Sequence, residues 1–296
     1  MPPERLFDRV VEQTQAAESA GFDLITVMDH FYQISVVGPE TEPMLEAYAT
    51  LAALAQVTGR VRLGTLVTGV TYRNPALLAK TVTTLDTISQ GRALLGIGAA
   101  WNDAEHAGYG FEFPTVRERM DRLDEALTIA RLMFTEERPS FEGRYYRIDR
   151  ALNQPRPIQP GGPKILVGGG GERRTLRLAA RHADMTHWFV QTPEEFTRKN
   201  AVLEEHCRSV GRDPSSIVRT IGAPVWLVRD EREAREAADR IPPARRATMR
   251  PAGPEQAAEI LQSFVNAGVQ GFTFNNPNLS TRELLAVGGS VKHMLG

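Results

Sequence analysis

Short β-branched runs alternate along this chain with longer stretches whose apolar residues recur every three or four positions. A strand period giving way repeatedly to a helix period is the pattern of parallel βα units. The runs predict strands at residues 22–27, 61–67, 93–98, 164–168, 185–190, 219–228 and 271–275. Between them, Asn74-Pro75 opens a helix through Leu77, Leu78, Val82, Leu85 and Ile88. Pro114 opens a second, through Met120, Leu123, Leu127, Ala130 and Met133, and Glu172 a third, through Leu176, Leu178, Ala179 and Ala180. Each is long enough to cross between parallel strands. The earliest element is itself a helix, with Leu6, Val10, Val11 and Ala17 along one face. A closed (β/α)8 barrel has eight strands and begins with one. The pattern therefore predicts either an open sheet or a barrel lacking its first strand.

One pattern occurs twice. Gly59-Arg60-Val61-Arg62-Leu63-Gly64 returns one βα unit later as Gly91-Arg92-Ala93-Leu94-Leu95-Gly96. The first glycine of each copy is expected to end a helix in the left-handed conformation, and the second to lie inside a strand. Phe141-Glu142-Gly143-Arg144-Tyr145-Tyr146 reads as a short hairpin. Pro- and Gly-rich connections at 38–43, 138–163 and 241–254 separate no two segments that would each bury a core, so residues 1–296 are taken as a single domain.

Composition narrows the function classes. With 42% hydrophobic and 24% charged residues, wholesale disorder is excluded. Thirty-five basic against thirty-six acidic side chains leave a net charge of -1, so neither a nucleic acid nor an anionic membrane finds an electrostatic footprint. No apolar run approaches the ~18 residues of a spanning helix, and none after Met1-Pro2-Pro3-Glu4-Arg5 resembles a signal peptide. Cys207 is the only cysteine, which excludes an internal disulfide and a multi-cysteine metal site. A cytoplasmic protein acting on a small molecule is expected.

In parallel α/β folds ligands meet the carboxyl ends of the strands. Here those ends carry Asp29-His30, residues 65–71, Ala99-Ala100-Trp101-Asn102, Gly168 to Gly171, Trp188-Phe189 and Asn275-Asn276. Histidine is the usual proton carrier near neutral pH, and Asp29 would tune the site; alternatively Asp29 caps a turn and His30 is simply hydrogen-bonded. Gly168-Gly169-Gly170-Gly171 leads into Glu172-Arg173-Arg174 and suits a phosphate held by backbone N–H groups and a helix N-terminus, with Arg174 as an added donor. Gly96-Ile97-Gly98 continues to Trp101 where a dinucleotide fingerprint needs its third glycine, which weakens a Rossmann reading. The six histidines show no His-x-x-x-His pair, and Glu105-His106 reads as a solvated helix start, so no metal site is expected. None of the four lysines stands at a strand end, which disfavours a Schiff base.

Taken in order, Asp29-His30, Leu63-Gly64-Thr65 leading to Tyr72-Arg73-Asn74-Pro75, Thr84-Leu85-Asp86 through Gly91-Arg92, Leu95 to Trp101, and the glycine loop resemble the luciferase-like oxidoreductases. The similarity is greatest to the subgroup that uses the deazaflavin coenzyme F420. The resemblance implies a (β/α)8 TIM barrel, here lacking the strand with which members begin, and hydride transfer between C5 of the deazaflavin and a small organic substrate. It implies His30 as the catalytic proton carrier and Asp29 in the ring pocket. Thr65 and Thr68 would bound a bulge behind the ring, often with a non-proline cis peptide. Ala99, Ala100, Trp101 and Asn102 would flank the ring, and Gly168, Gly169, Gly170, Gly171 and Arg174 would take the phosphate. The sugar-phosphate branch carries an acidic residue where this chain has Trp101-Asn102, which implies a different substrate. A homodimer is expected. The rival readings are a monooxygenase of the same fold using FMN and, in another class, a non-catalytic truncated barrel.

Overall fold

The computed structural model describes residues 3–35, 37–241 and 250–274, together with Ser280, Thr281, Glu283, Leu285, Gly288, Gly289 and Val291. Seven parallel strands carry the fold: β1 (Leu24–Val27), β2 (Arg62–Thr65), β3 (Ala93–Gly98), β4 (Lys164–Gly168), β5 (Met185–Trp188), β6 (Val218–Gly222) and β7 (Gly271–Thr273). The helices are α1 (Leu6–Ser19), α2 (Ala47–Val57), α3 (Pro75–Ile88), α4 (Asp103–Tyr109), α5 (Val116–Thr135), α6 (Thr175–His182), α7 (Pro193–Ser209), α8 (Glu231–Arg240) and α9 (Pro254–Asn266). All seven expected strands are present. No helix among the described residues is long and apolar enough to cross a membrane. Asn275 and Asn276 lie outside the described residues.

The chain forms two compact units. The first comprises Met1–Phe7, Leu24–Gly168 and His182–Asp184. In it β1, β2, β3 and β4 pair in parallel, with Ile25 opposite Leu63, Leu63 opposite Ala93, and Leu95 opposite Ile165. Asn74 caps α3 by accepting from the N–H groups of Ala76 and Leu77, with Pro75 in the first turn, as its sequence requires. Leu78 and Val82 of α3 are buried with Leu51 and Leu54 of α2 and Leu123 and Leu127 of α5. Each contributes about 1.5–3 kcal/mol of hydrophobic free energy. The hairpin forms as expected, Phe141 opposite Ile148, with Glu125 accepting from the backbone N–H groups of Arg144, Tyr145 and Tyr146.

The second unit comprises Asp8–Asp23, Gly169–Arg181 and Met185–Gly296. Here β5 pairs with β6, His187 opposite Thr220, and β6 with β7, Thr220 opposite Gly271. Leu227, Ala252, Ala257 and Leu261 form a buried cluster. Trp188 is fully buried against Phe196, whereas Phe189 is 78% exposed, so only the phenyl of that strand-end pair is presented.

Three expected elements change. The run at 219–228 divides into β6 and a separate short strand Trp226–Leu227, which pairs with Pro251–Ala252. Pro224 between them has no N–H with which to continue the ladder. The third helix starts at Thr175 rather than Glu172, because Glu172, Arg173 and Arg174 remain in the turn. Of the two repeat glycines expected to be left-handed, Gly91 is (φ 85°), but α2 ends on an extended Thr58 and Gly59 is not. The interior glycines explain themselves. A Cβ on Gly96 would lie 1.9 Å from the Thr65 carbonyl oxygen, so β2 and β3 approach where only glycine fits.

Candidate active site

The site in the first unit is built on a carboxylate that the local pattern places in solvent. Glu105 of α4 is fully buried. Its Oε1 accepts from the backbone N–H of Phe31 at 2.5 Å and of Tyr32 at 3.0 Å. Its Oε2 accepts from His30 Nδ1 at 2.6 Å and from the Tyr72 hydroxyl at 3.0 Å. Glu105-His106 is therefore not a solvated helix start. His106 is buried as well, donating from Nδ1 to the Asn102 carbonyl at 2.6 Å and accepting at Nε2 from the Thr71 hydroxyl at 2.7 Å. His30 retains 13% side-chain exposure, and its Nε2 has no hydrogen-bond partner among the described residues. Trp101, 59% exposed, stands edge-on to the imidazole at 5.4 Å.

Burial would push the Glu105 carboxyl up, but the hydrogen bonds from His30 and the two backbone N–H groups outweigh it and hold it below the ordinary carboxylate range. A carboxyl depressed on folding contributes stability that is complete above its unfolded value and is lost as pH falls through its folded value. Melting temperatures taken from neutral pH into acid should show wild type losing its advantage over Glu105→Gln. A gap that stays constant with pH would show that the ionised carboxylate adds nothing to stability.

Asp29, next to His30, is buried in an ion pair. It is 2% exposed, and its two oxygens accept from Arg73 Nη1 and Nη2 at 2.6 and 3.1 Å. Arg73 also donates to Glu46, the N-cap of α2, at 2.6 Å, and lies 4.8 Å over the Tyr48 ring. Asp29 thus anchors the segment after β1 through Arg73. Burial raises its carboxyl, with Arg73 acting against that rise. Thr65 and Thr68 are likewise fully buried. Thr65 donates to the Gly96 carbonyl at 2.8 Å, so its oxygen accepts from Thr68 at 2.9 Å, which in turn accepts from Tyr48 at 2.7 Å. Burial and the Asp29 charge push the Tyr48 phenol up to about 12, which keeps it a donor. Both threonine hydroxyls brace the wall from behind.

The wall itself is apolar. The peptide Leu66–Val67 is cis, as the resemblance implies. Val67 packs where side chains on Gly98 and Gly168 would collide with it, at 2.9 and 2.8 Å from their Cβ positions. Ala99 is pinned by Arg119 Nε donating to its carbonyl at 2.9 Å. Ala100 adopts a left-handed φ of 59°, and Asn102 opens α4 without using its side chain as a cap.

Gly168 ends β4; Gly169 to Gly171 belong to the second unit. There Gly169 (φ 109°) donates to the His187 carbonyl at 3.0 Å. The N–H groups of Gly170 and Gly171 make no hydrogen bond among the described residues, and they precede the N-terminus of α6. Lys199 of α7, 13% exposed, donates to the Gly170 carbonyl at 3.0 Å and lies 3.8 Å from Glu172. Arg174 is exposed. The loop therefore carries unpaired donors and a nearby ammonium, a combination that suits an anion.

Sequence reasoning did not find Glu105, Arg73 or Lys199. For Glu105 a signal existed: Tyr109 stands one turn on in α4, and Phe111 and Phe113 follow the helix, aromatic side chains able to pack around this segment. For Arg73 and Lys199 no local signal distinguishes them from surface cations.

The luciferase-like monooxygenase family model matches residues 2–288 of this chain. An F420-dependent glucose-6-phosphate dehydrogenase of Segniliparus rotundus is 30% identical, over 94% of this chain and 90% of that protein. An F420-dependent hydroxymycolic acid dehydrogenase of Mycobacterium tuberculosis is 34% identical, over 78% of this chain and 62% of its own. Among solved structures, an F420-dependent secondary alcohol dehydrogenase in complex with an F420–acetone adduct superposes with a TM-score of 0.82 at 21% identity, covering 98% of this chain and 96% of that one.

Proposed function

The chain belongs to the luciferase-like monooxygenase family and is an F420-dependent oxidoreductase; from that premise we propose that His30 carries the proton that accompanies hydride transfer at a hydroxyl-bearing carbon. Coenzyme F420, when bound, supplies a two-electron hydride carrier that needs no oxygen. A carbon that loses hydride leaves its hydroxyl strongly acidic, and a base within hydrogen-bond reach must take that proton. The observation that carries this assignment is the asymmetry of His30. Nδ1 is held by buried Glu105 at 2.6 Å, while Nε2 has no protein partner among the described residues. The related dehydrogenases act on hydroxyl compounds by name, which supports the same substrate chemistry here.

The residues fit the cofactor. The unpaired N–H groups of Gly170 and Gly171 before α6 are what a phosphate needs, with Lys199 as the nearby cation. Gly98 and Gly168 give Val67 the room to pack as the apolar wall. By the resemblance, Gly169 to Gly171 would hold the phosphate.

The test is a titration of the purified chain with F420 and, separately, with FMN. F420 should saturate the protein at concentrations where FMN does not; a preference for FMN, or no binding of F420, overturns the cofactor assignment. Gly170 is the residue with which to probe the loop. Gly169 is left-handed, so any side chain there is strained, whereas Gly170 is not, and a Cβ would meet only the end of Lys199 at 3.3 Å. Gly170→Val should weaken F420 binding about tenfold or more and cost no more than ~1–2 kcal/mol of stability. Unchanged affinity with a large loss of stability would return the loop to the role of a tight turn.

A further inference from the structure

The two oxygens of Glu105 serve different parts of the molecule. Oε1 accepts from the backbone N–H groups of Phe31 and Tyr32 and so ties the segment after β1 to α4. Oε2 faces His30 Nδ1 and the Tyr72 hydroxyl. A carboxylate only accepts, so its 2.6 Å bond to the imidazole requires the hydrogen on Nδ1. A neutral imidazole with that hydrogen has its lone pair on Nε2. We propose that Glu105 is a positioning residue for the reaction: through Oε2 it fixes the Nδ1–H form of His30 and thereby presents Nε2 as the acceptor of the substrate's hydroxyl proton. This rests on the reading of His30 as the proton carrier.

Tyr72 does not compete for the role. Its hydroxyl is already donated to Oε2, and burial together with the Glu105 charge pushes its phenol well above the ordinary tyrosine value. The step balances without a further reagent. The carbinol C–H bond breaks with both electrons going to the bound cofactor, the O–H bond breaks with its proton going to Nε2, and the remaining carbon–oxygen bond becomes a carbonyl. In the reverse direction the same nitrogen returns the proton.

A purely structural Glu105 and a positioning Glu105 separate in one isosteric variant. In Glu105→Gln the amide oxygen stays with the two backbone donors, which require an acceptor. The amide NH2 then occupies the place of Oε2 and donates to Nδ1, so the imidazole hydrogen moves to Nε2. The segment stays tied, but the nitrogen facing the substrate no longer accepts.

The experiment uses the F420-loaded protein with 15N-labelled histidine. Long-range 15N–1H correlation reads the tautomer of His30 in wild type and in Glu105→Gln, alongside kcat, KM, F420 affinity and melting temperature. The expected result is Nδ1–H in wild type and Nε2–H in the variant. With it, kcat should fall about 100-fold or more while KM and F420 affinity stay within about threefold, and the melting temperature should drop only a few degrees. Three results overturn the proposal: Nε2–H in wild type, a variant with the inverted tautomer and undiminished kcat, or a variant that loses kcat and folding together with its tautomer unchanged. The wild-type spectrum is decisive even if the variant does not fold. Failure of the underlying reading looks different: His30→Ala would then turn over normally. If His30→Ala is impaired and Glu105→Gln is not, only the role of Glu105 falls.

Discussion

Replacing His30 with alanine is expected to lower kcat about 100-fold or more while F420 affinity changes by no more than about threefold. The size of the effect follows from the absence of a substitute. The nearest other titratable groups of the first unit are engaged: Asp29 is held by both Nη atoms of Arg73, and Glu105 and Tyr72 are hydrogen-bonded to one another. None presents a bare lone pair where His30 Nε2 stands. Cofactor affinity should survive because His30 contributes an edge contact with Trp101 and is otherwise held from behind. Steady-state kinetics with F420 reduction followed at its visible absorption band, together with a binding titration, checks both halves. Unchanged turnover with an unaltered pH profile removes His30 from the mechanism.

The second large effect is on stability. Arg73→Met should cost about 3–5 kcal/mol, because it leaves the Asp29 carboxylate buried without its partner. Asp29 has 1% side-chain exposure and cannot recover its hydration by a small movement. The bond from Arg73 to Glu46 adds little to the expected loss, since Glu46 is 45% exposed and screened by solvent. Combining Arg73→Met with Asp29→Asn should restore most of the stability, as the variant then buries an amide in place of an unpaired charge. Urea unfolding of the two single variants and the double variant closes the cycle. A loss below about 1 kcal/mol for Arg73→Met, or strict additivity in the double variant, would contradict the pairing as the source of stability. Turnover should fall in the single variant too, since Asp29 immediately precedes His30.

Much of the architecture is legible in local sequence because it depends on local periodicity. The alternation of β-branched runs with three-and-four spacing gives all seven parallel strands and the helices between them, and Asn74-Pro75 marks the start of α3 through a cap that needs only its own neighbours. The expectation for Arg219 to Val228 failed where one residue, Pro224, overrides an otherwise continuous apolar run. Gly59 and Gly91 share a motif and differ in conformation, because a helix can end without a left-handed residue when other donors satisfy its last carbonyls. For α2 those donors include the Thr58 hydroxyl, which reaches the Leu54 carbonyl, and Arg92, whose Nη2 reaches the carbonyls of Ala55 and of the cap residue Thr58.

The candidate site divides in the same way. His30, Trp101 and the glycine loop were apparent because they follow strands, and in a parallel sheet the strand's carboxyl end is where a side chain meets a ligand. What the sequence by itself determined is therefore the α/β fold, the family, and which strand ends carry chemistry. Only the tertiary structure decided which of those groups are free to act. Asp29, adjacent to His30 and apparently its equal, is taken up by Arg73, forty-four residues on, while Glu105, seventy-five residues from His30, supplies the carboxylate that holds the imidazole. The physical reason is that periodicity records whether a residue faces the core, but the partner it meets there depends on which strands lie side by side. That ordering brings β1 beside β2 and β2 beside β3, and with them the segments after those strands that carry His30, Arg73 and, on α4, Glu105.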